Sequence, residues 1–206
     1  MTCRTSVAAA MFFCALPLSG VEAAQPAAVV SPSGAFSIVT LAETSVVQLP
    51  PGPLYWRVEN FPSLAEAKAA SGASALAAEA SGRTWLFSLG PKGGKTAGGR
   101  LVAEIGPVPS IAAPQYLLRI NQAGGPPGAK TPVHSHPGSE AFYVIAGRLC
   151  QKTSHGEVAL DAGRSMNGHQ LGMAMQLTSC GSVDLDQLVM FVVDGTRPFS
   201  PPASFD

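Results

Sequence analysis

The dominant period in this chain is two, and it recurs in short runs. In LYWRVENF, Leu54, Trp56 and Val58 share one parity while Tyr55, Arg57 and Glu59 share the other, the signature of a half-buried strand. Ala35–Leu49 alternates more weakly and reads as one or two strands closed by Pro50-Pro51-Gly52-Pro53. Strands are expected at Trp85–Leu89 and Leu101–Ile105, separated by the glycine-rich loop GPKGGKTAGG. From residue 115 short strands follow closely, at Gln115–Asn121, Thr131–His136, Glu140–Ala146, Arg148–Thr153, Glu157–Asp161, Met173–Thr178 and Gln187–Val193. Ser154-His155-Gly156 reads as a hairpin turn, which puts His155 at an exposed tip.

One stretch breaks the period. Ser63-x-x-Glu66 is a capping box, and the alanine-rich run behind it predicts helix within 63–80, firm over 63–70 and broken or restarted near Gly72. Short strands with glycine punctuation and a single short helix predict an all-β barrel or jelly roll. The barrel is assigned to residues 111–200 and an N-terminal β extension to 35–110. That extension is read as part of the barrel, because a short helix and weak strands make a thin core alone. Residues 201–206, at the end of RPFSPPASFD, are expected to pack as an arm or to fray.

Candidate chemistry is concentrated in GAKTPVHSHPGSEAFYVIAG, residues 128–147, which carries His134, His136 and Glu140. Histidines at i and i+2 of an extended chain point to one face. Imidazole and carboxylate together are ligands for a divalent transition metal. The chain holds only four histidines, so two in register beside a glutamate argue against an incidental polar loop. Glu140, Phe142 and Val144 share a parity and should face inward together, with Tyr143 and Ile145 turned toward the N-terminal segment or a second subunit.

The spacing Gly128-x5-His134-x-His136-x3-Glu140-x6-Gly147 resembles the first motif of the cupin superfamily, with every anchor position filled. The resemblance covers about residues 110–200 and implies a cupin-type antiparallel β-barrel (a double-stranded β-helix). It also implies that His134, His136 and Glu140 bind a metal inside that barrel, and that two copies pair through sheet edges as a homodimer.

The second motif of that superfamily, G-x5-P-x-G-x2-H-x3-N, is not reproduced. With the register set by Leu188–Val193 and one extra residue after Gly163, Gln170 falls at the proline, Met175 at the histidine and Ser179 at the asparagine. A thioether then replaces the third imidazole. The competing reading takes His169, in the glycine-bounded turn GHQLG, as the further ligand; a surface loop histidine is the plain alternative. Met173 and Met175, with Phe142 and Val144, are the candidate lining of a substrate cavity.

Composition narrows the partners. Thirteen basic residues balance thirteen acidic ones, so no basic stripe exists to attract nucleic acid or anionic lipid. GPKGGKT imitates a phosphate-binding loop, but Gly90 and Gly94-Lys95 enclose one residue too few and no helix follows. Residues 1–23 read as a signal peptide: Arg4, the apolar run Ser6–Leu18, and Val21-Glu22-Ala23 as cleavage site. That run is shorter than the roughly 20 residues a membrane span needs. The expectation is an exported protein, periplasmic or secreted and free of the membrane after cleavage, with 24–34 as a flexible lead-in. Cys150 and Cys180 then remain; an oxidising compartment permits a disulfide, and two small apolar fillers are the alternative.

Two functional readings stay open. In the first, His134, His136 and Glu140, with His169 as a further candidate, hold Fe, Mn, Ni, Cu or Zn in an oxygenase-like enzyme acting on a small apolar or aromatic compound. The resemblance also implies a role for Glu140 as a catalytic base that leaves the metal, as in some cupins. In the second, the barrel binds a metal or small ligand without catalysis, and a purely structural barrel is a weaker third.

Overall fold

Among the described residues every strand pairing is antiparallel, and the strands fall into three stacked sheets. The computed structural model describes residues 34–169 and 171–205; the expected signal peptide, residues 24–33 of the lead-in, Gln170 and Asp206 lie outside the described residues. The first half gives β1 (Ser37–Val46), β2 (Tyr55–Phe61), α1 (Leu64–Ala69), β3 (Ala75–Ala80), β4 (Arg83–Gly90) and β5 (Arg100–Ile105). The second half gives β6 (Tyr116–Gly125), β7 (Gly138–Ala146), β8 (Arg148–Thr153), β9 (Gly156–Asp161), β10 (Ser165–Asn167), β11 (Met175–Ser179) and β12 (Leu185–Asp194). A five-stranded sheet, β1-β6-β12-β7-β10, faces a three-stranded sheet, β11-β8-β9, while β3-β4-β2-β5 forms a third.

Strand β12 shows how sequence selects this layering. LDQLVMFVVD is apolar almost throughout, as expected of a strand covered on both faces. Leu188, Met190 and Val192 enter a core shared with Trp56, Val58, Trp85 and Phe87 of the third sheet. Leu185, Val189, Phe191 and Val193 enter a second core with Phe142, Val144, Leu149 and Leu177 inside the barrel. The third sheet therefore stacks on the outer face of the five-stranded sheet, and the barrel interior lies on the other.

The N-terminal segment divides between these layers. Strand β1 pairs with β6 from Ser37↔Gly124 to Val46↔Tyr116 and extends the barrel sheet, whereas β2–β5 build the covering sheet. Ser81 and Asp186 hydrogen-bond each other, and Gln122 donates to both, tying the β3–β4 turn to the barrel sheet.

The helix expected within 63–80 is confined to Leu64–Ala69. Ser63 caps it, its Oγ accepting from the Glu66 N–H at 3.2 Å and donating to the Glu66 carboxylate at 2.7 Å. The following alanine-rich run is strand β3, not helix. Ser81 and Gly82 both take positive φ, the geometry of a two-residue hairpin turn, and lay Leu76, Ala78 and Ala80 into the core beside β4. Tertiary pairing thus overrides alanine's helix preference.

One further expectation is corrected. Thr131–His136 is not a regular strand: it contributes the isolated bridge His134↔Met175, beside the bridge Lys130↔Thr178. Of the two outcomes expected of the tail, residues 201–203 take the packed arm: the Pro201 carbonyl accepts from the Ser135 N–H, and the Ala203 N–H donates to the Val133 carbonyl. The two cysteines are joined, Cys150–Cys180, with Cα atoms 5.7 Å apart.

Candidate metal centre

The centre begins with a backbone that positions two imidazoles. His134 pairs across to Met175, donating its N–H to the Met175 carbonyl and accepting the reciprocal bond at 2.8 Å. Pro137-Gly138 then turns the chain into β7, where Gly138 lies so close to Val192 and Val193 that a Cβ would stand 2.3 Å from the Val192 carbonyl. Glu140 follows on the inward face of β7, opposite Phe191 of β12. At the far end of the motif Gly147 takes φ +75°, a conformation that favours glycine, in the one-residue turn between β7 and β8.

Both histidines spend Nδ1 on main-chain carbonyls. His134 Nδ1 lies 2.9 Å from the Pro132 oxygen, and His136 Nδ1 lies 2.7 Å from the Phe199 oxygen. A carbonyl only accepts, so each Nδ1 carries the proton and each Nε2 keeps its lone pair free. This is how a metal-binding histidine is oriented. His136 Nε2 stands 3.7 Å from Glu140 Oε2, and the two imidazole rings meet edge to face with centroids 5.0 Å apart.

Charges follow from burial. Glu140 is buried, and desolvation pushes its carboxyl up to about 8, against a smaller downward pull from the Gln151 hydrogen bond. Burial also lowers His136 to about 4; the Phe199 carbonyl opposes this, and His134 and Arg119 add to it. In the ion-free protein near pH 7 the pair is therefore a protonated carboxyl beside a neutral imidazole, not an ion pair.

Gln151, which the sequence reading did not single out, completes the surroundings. Its Nε2 lies 3.1 Å from Glu140 Oε1 and 3.6 Å from the Met175 sulfur, and its own Oε1 is buried with no hydrogen-bond partner among the described residues. Met175 therefore sits in register beside the carboxylate. His169 is not gathered into one group with His136 and Glu140: its ring is half-buried, burial and then His155 hold its pKa down, and its buried Nε2 has no partner among the described residues. Met173 lies outside the barrel core, in a surface pocket with Ser154, Leu171 and Ala203. Phe142 and Val144 pack wholly within the barrel core.

Phe199 and Arg119 were also missed. The Phe199 ring contacts the rings of His136 and Phe191 at 4.9 Å and 5.0 Å, and the Arg119 guanidinium lies 4.0 Å from its centroid. The parity of Leu149 and Gln151 on β8 was a legible signal for Gln151; nothing in the proline-rich tail pointed to Phe199.

The donor set suits a divalent ion. Two donors at about 2.1 Å from one ion lie at most about 4.2 Å apart, and the Nε2–Oε2 separation falls inside that span. Among the described residues, however, no group of three His, Cys, Asp or Glu side chains converges. The converged unit is His136 with Glu140, flanked by His134, Met175 and Gln151.

The glycine-rich imitation of a phosphate loop is satisfied internally. The Thr96 N–H and hydroxyl both donate to the Glu59 carboxylate, and Arg57 bonds Thr96 and pairs with Glu59 at 3.1 Å. The anion held by this loop is the protein's own.

No protein-family model and no curated protein matches the chain. Solved structures similar to part of it include the DMSP lyase DddQ of Ruegeria pomeroyi, at 20% identity over 42% of this chain and 43% of that one, with a TM-score of 0.37. The polyketide cyclase RemF of Streptomyces resistomycificus is similar at 14% identity over 43% of this chain and 62% of its own, TM-score 0.36. A cupin-like protein of Thermotoga maritima gives 16% identity over 43% of this chain and 65% of its own, TM-score 0.38. The chain thus spans less than two thirds of each of these proteins, and likeness at this level says nothing about activity. What stands on this chain's own sheets and motif is an all-β protein with an antiparallel barrel, whose first motif resembles that of the cupin superfamily.

Proposed function

We propose that this cupin-type protein binds a divalent transition metal through His136 and Glu140, with His134 joining them, and presents that metal to a small molecule. The observation that carries this reading is the fixing of His136 Nδ1 on the Phe199 carbonyl, which leaves the His136 Nε2 lone pair 3.7 Å from a buried carboxyl, with His134 Nδ1 held in the same way on Pro132. A structural histidine has no need of a bare, inward-facing Nε2. The metal, when bound, supplies Lewis-acid polarisation of an oxygen on the small molecule. Glu140 contributes a carboxyl whose proton leaves near neutral pH, so it serves as ligand or as base, and Gln151 holds its second oxygen.

Export is part of this proposal. The expected signal peptide and the Cys150–Cys180 disulfide agree on an oxidising compartment, periplasmic or extracellular. A homodimer through the free edge of β1 fits its exposed Ile38 and Val39.

A second reading, a binding module without catalysis, is favoured by one observation: Phe142, Val144, Leu149 and Val189 fill the barrel core and are at most 2% exposed. Elemental analysis of protein purified without chelator tests the common claim. An equivalent of Fe, Mn, Ni, Cu or Zn that is lost in His136→Ala supports it. Less than a tenth of an equivalent, not restored by incubation with those ions, defeats both readings. Turnover of a small apolar or aromatic compound, lost with the metal, then decides for the enzyme over the module.

A further inference from the structure

The segment 199–203 touches the centre at more points than a passive tail would. Its Phe199 carbonyl takes the His136 Nδ1 proton at 2.7 Å, and its Pro201 carbonyl accepts from the Ser135 N–H at 3.2 Å. The Ala203 N–H donates to Val133, and Pro202 bridges His134. The segment thus runs alongside 133–135 as a short antiparallel strand, laid over both histidines. The Phe199 ring is fixed in turn. It packs edge-on against Phe191, and Arg119, itself held by Glu43 through Nε at 2.8 Å, lies over its face. The His136 ring completes a triangle with the two phenyl rings, 4.8 Å from Phe191 and 4.9 Å from Phe199.

A free neutral imidazole chooses its own tautomer, and only a partner at one nitrogen fixes the other as acceptor. For His136 that partner comes neither from its own strand nor from a carboxylate. It is a main-chain carbonyl 63 residues away in sequence.

We propose that residues 199–203 are a clasp that sets the His136 tautomer and closes the approach to the His136–Glu140 pair. Phe199 is its positioning residue: the carbonyl aims Nε2 at Glu140, and the ring shields the imidazole. A molecule that reaches Glu140 past His136 must displace that ring. The ion-binding arm of the test below rests on the proposed function; the tautomer and shielding arms do not.

Two variants separate carbonyl from ring. One stops the chain after Pro198 and removes both; Phe199→Ala keeps the carbonyl and removes the ring. Long-range proton–nitrogen correlations in histidine-labelled protein read the His136 tautomer. Mass-spectrometric mapping of diethyl pyrocarbonate acylation reads its accessibility, and titration with cobalt(II) alone reads ion affinity. The shortened chain is expected to lose the Nδ1–H tautomer, acylate His136 at least fivefold faster, and bind cobalt(II) about 10- to 100-fold more weakly, the usual cost of losing a ligand's outer partner. Phe199→Ala is expected to keep the tautomer and to acylate at least fivefold faster.

An unchanged tautomer in a folded shortened chain overturns the positioning role. An unchanged acylation rate in Phe199→Ala overturns the closing role. Should the shortened chain fail to fold, Phe199→Ala and Arg119→Ala decide, since both release the ring and both should speed acylation. Cobalt(II) that binds neither protein, with the tautomer shift still present, defeats the metal reading and leaves the clasp standing.

Discussion

Reducing the Cys150–Cys180 disulfide tests how the three-stranded sheet is held beside the centre. The bond joins β8 to the residue after β11 across a sequence separation of 30. Cross-linking a loop of about thirty residues removes on the order of 3.5 kcal/mol of chain entropy from the unfolded state. The folded state needs little help, because Thr178 pairs with Cys150, and the Cys180 N–H bonds the Arg148 carbonyl at 3.0 Å. Reduction should therefore leave the topology intact while lowering stability by about 2–4 kcal/mol. In guanidinium chloride that corresponds to a midpoint lower by on the order of 0.5–1 M. Trp56 and Trp85, fully buried in the other core, report global unfolding by fluorescence. A midpoint that moves by less than about 0.1 M, with both thiols shown free, refutes the reasoning. The bond would then restrain neither the unfolded chain nor the strand that carries Met175.

Other consequences follow from the same geometry. In chelator-treated protein, Glu140 keeps a proton that the unfolded chain has lost, so stability should fall as pH rises; His136, lowered to about 4, opposes this only below its unfolded value of 6.5. Between pH 6.5 and 8 Glu140 acts alone, and denaturant titrations should show a loss of about 2 kcal/mol that Glu140→Gln abolishes; a flat wild-type profile contradicts the buried carboxyl. Gly168→Ala places a Cβ 2.3 Å from the Glu140 carbonyl and 2.6 Å from its Cγ, so it should cost about 1–3 kcal/mol and weaken metal uptake, while Gly163→Ala, strained but with open space, should spare uptake. Trp85→Ala removes a wholly buried ring 5.9 Å from Tyr143 and should cost about 3–5 kcal/mol in one cooperative transition. Two separate transitions would instead mean that the covering sheet and the barrel fold independently.

Legibility in the sequence tracked locality. A period-two run disclosed β2, whose two faces differ in polarity, and an unbroken apolar run disclosed β12, which is covered on both faces. The motif disclosed His136 and Glu140, because both lie on a few consecutive residues. Strand β3 escaped because ALAAEA by itself prefers helix, and what decides it is pairing with β4 across the Ser81-Gly82 turn. Gln151 lay in plain parity beside Leu149, but a buried amide has no pattern that marks it as a partner of Glu140. Phe199 had no local signal at all. Its role depends on where a proline-rich segment lands after β12, which only the fold specifies.

Strand β7 explains why the centre belongs to the whole molecule and not to the barrel alone. Tyr143 and Ala141 enter the core behind the sheet, with Trp85 and Met190, while Glu140, Phe142 and Val144 face the barrel on the other side. Adjacent residues of one extended strand cannot move independently, since each is fixed by its ladder to β12. The covering sheet therefore sets the depth at which Glu140 sits. That depth decides the carboxyl's proton, because desolvation is the largest influence on it. A shallower Glu140 would ionise at its ordinary value and meet water instead of His136. The N-terminal sheet, which contributes no side chain to the His136–Glu140 pair, is on this argument what keeps the carboxyl protonated near neutral pH.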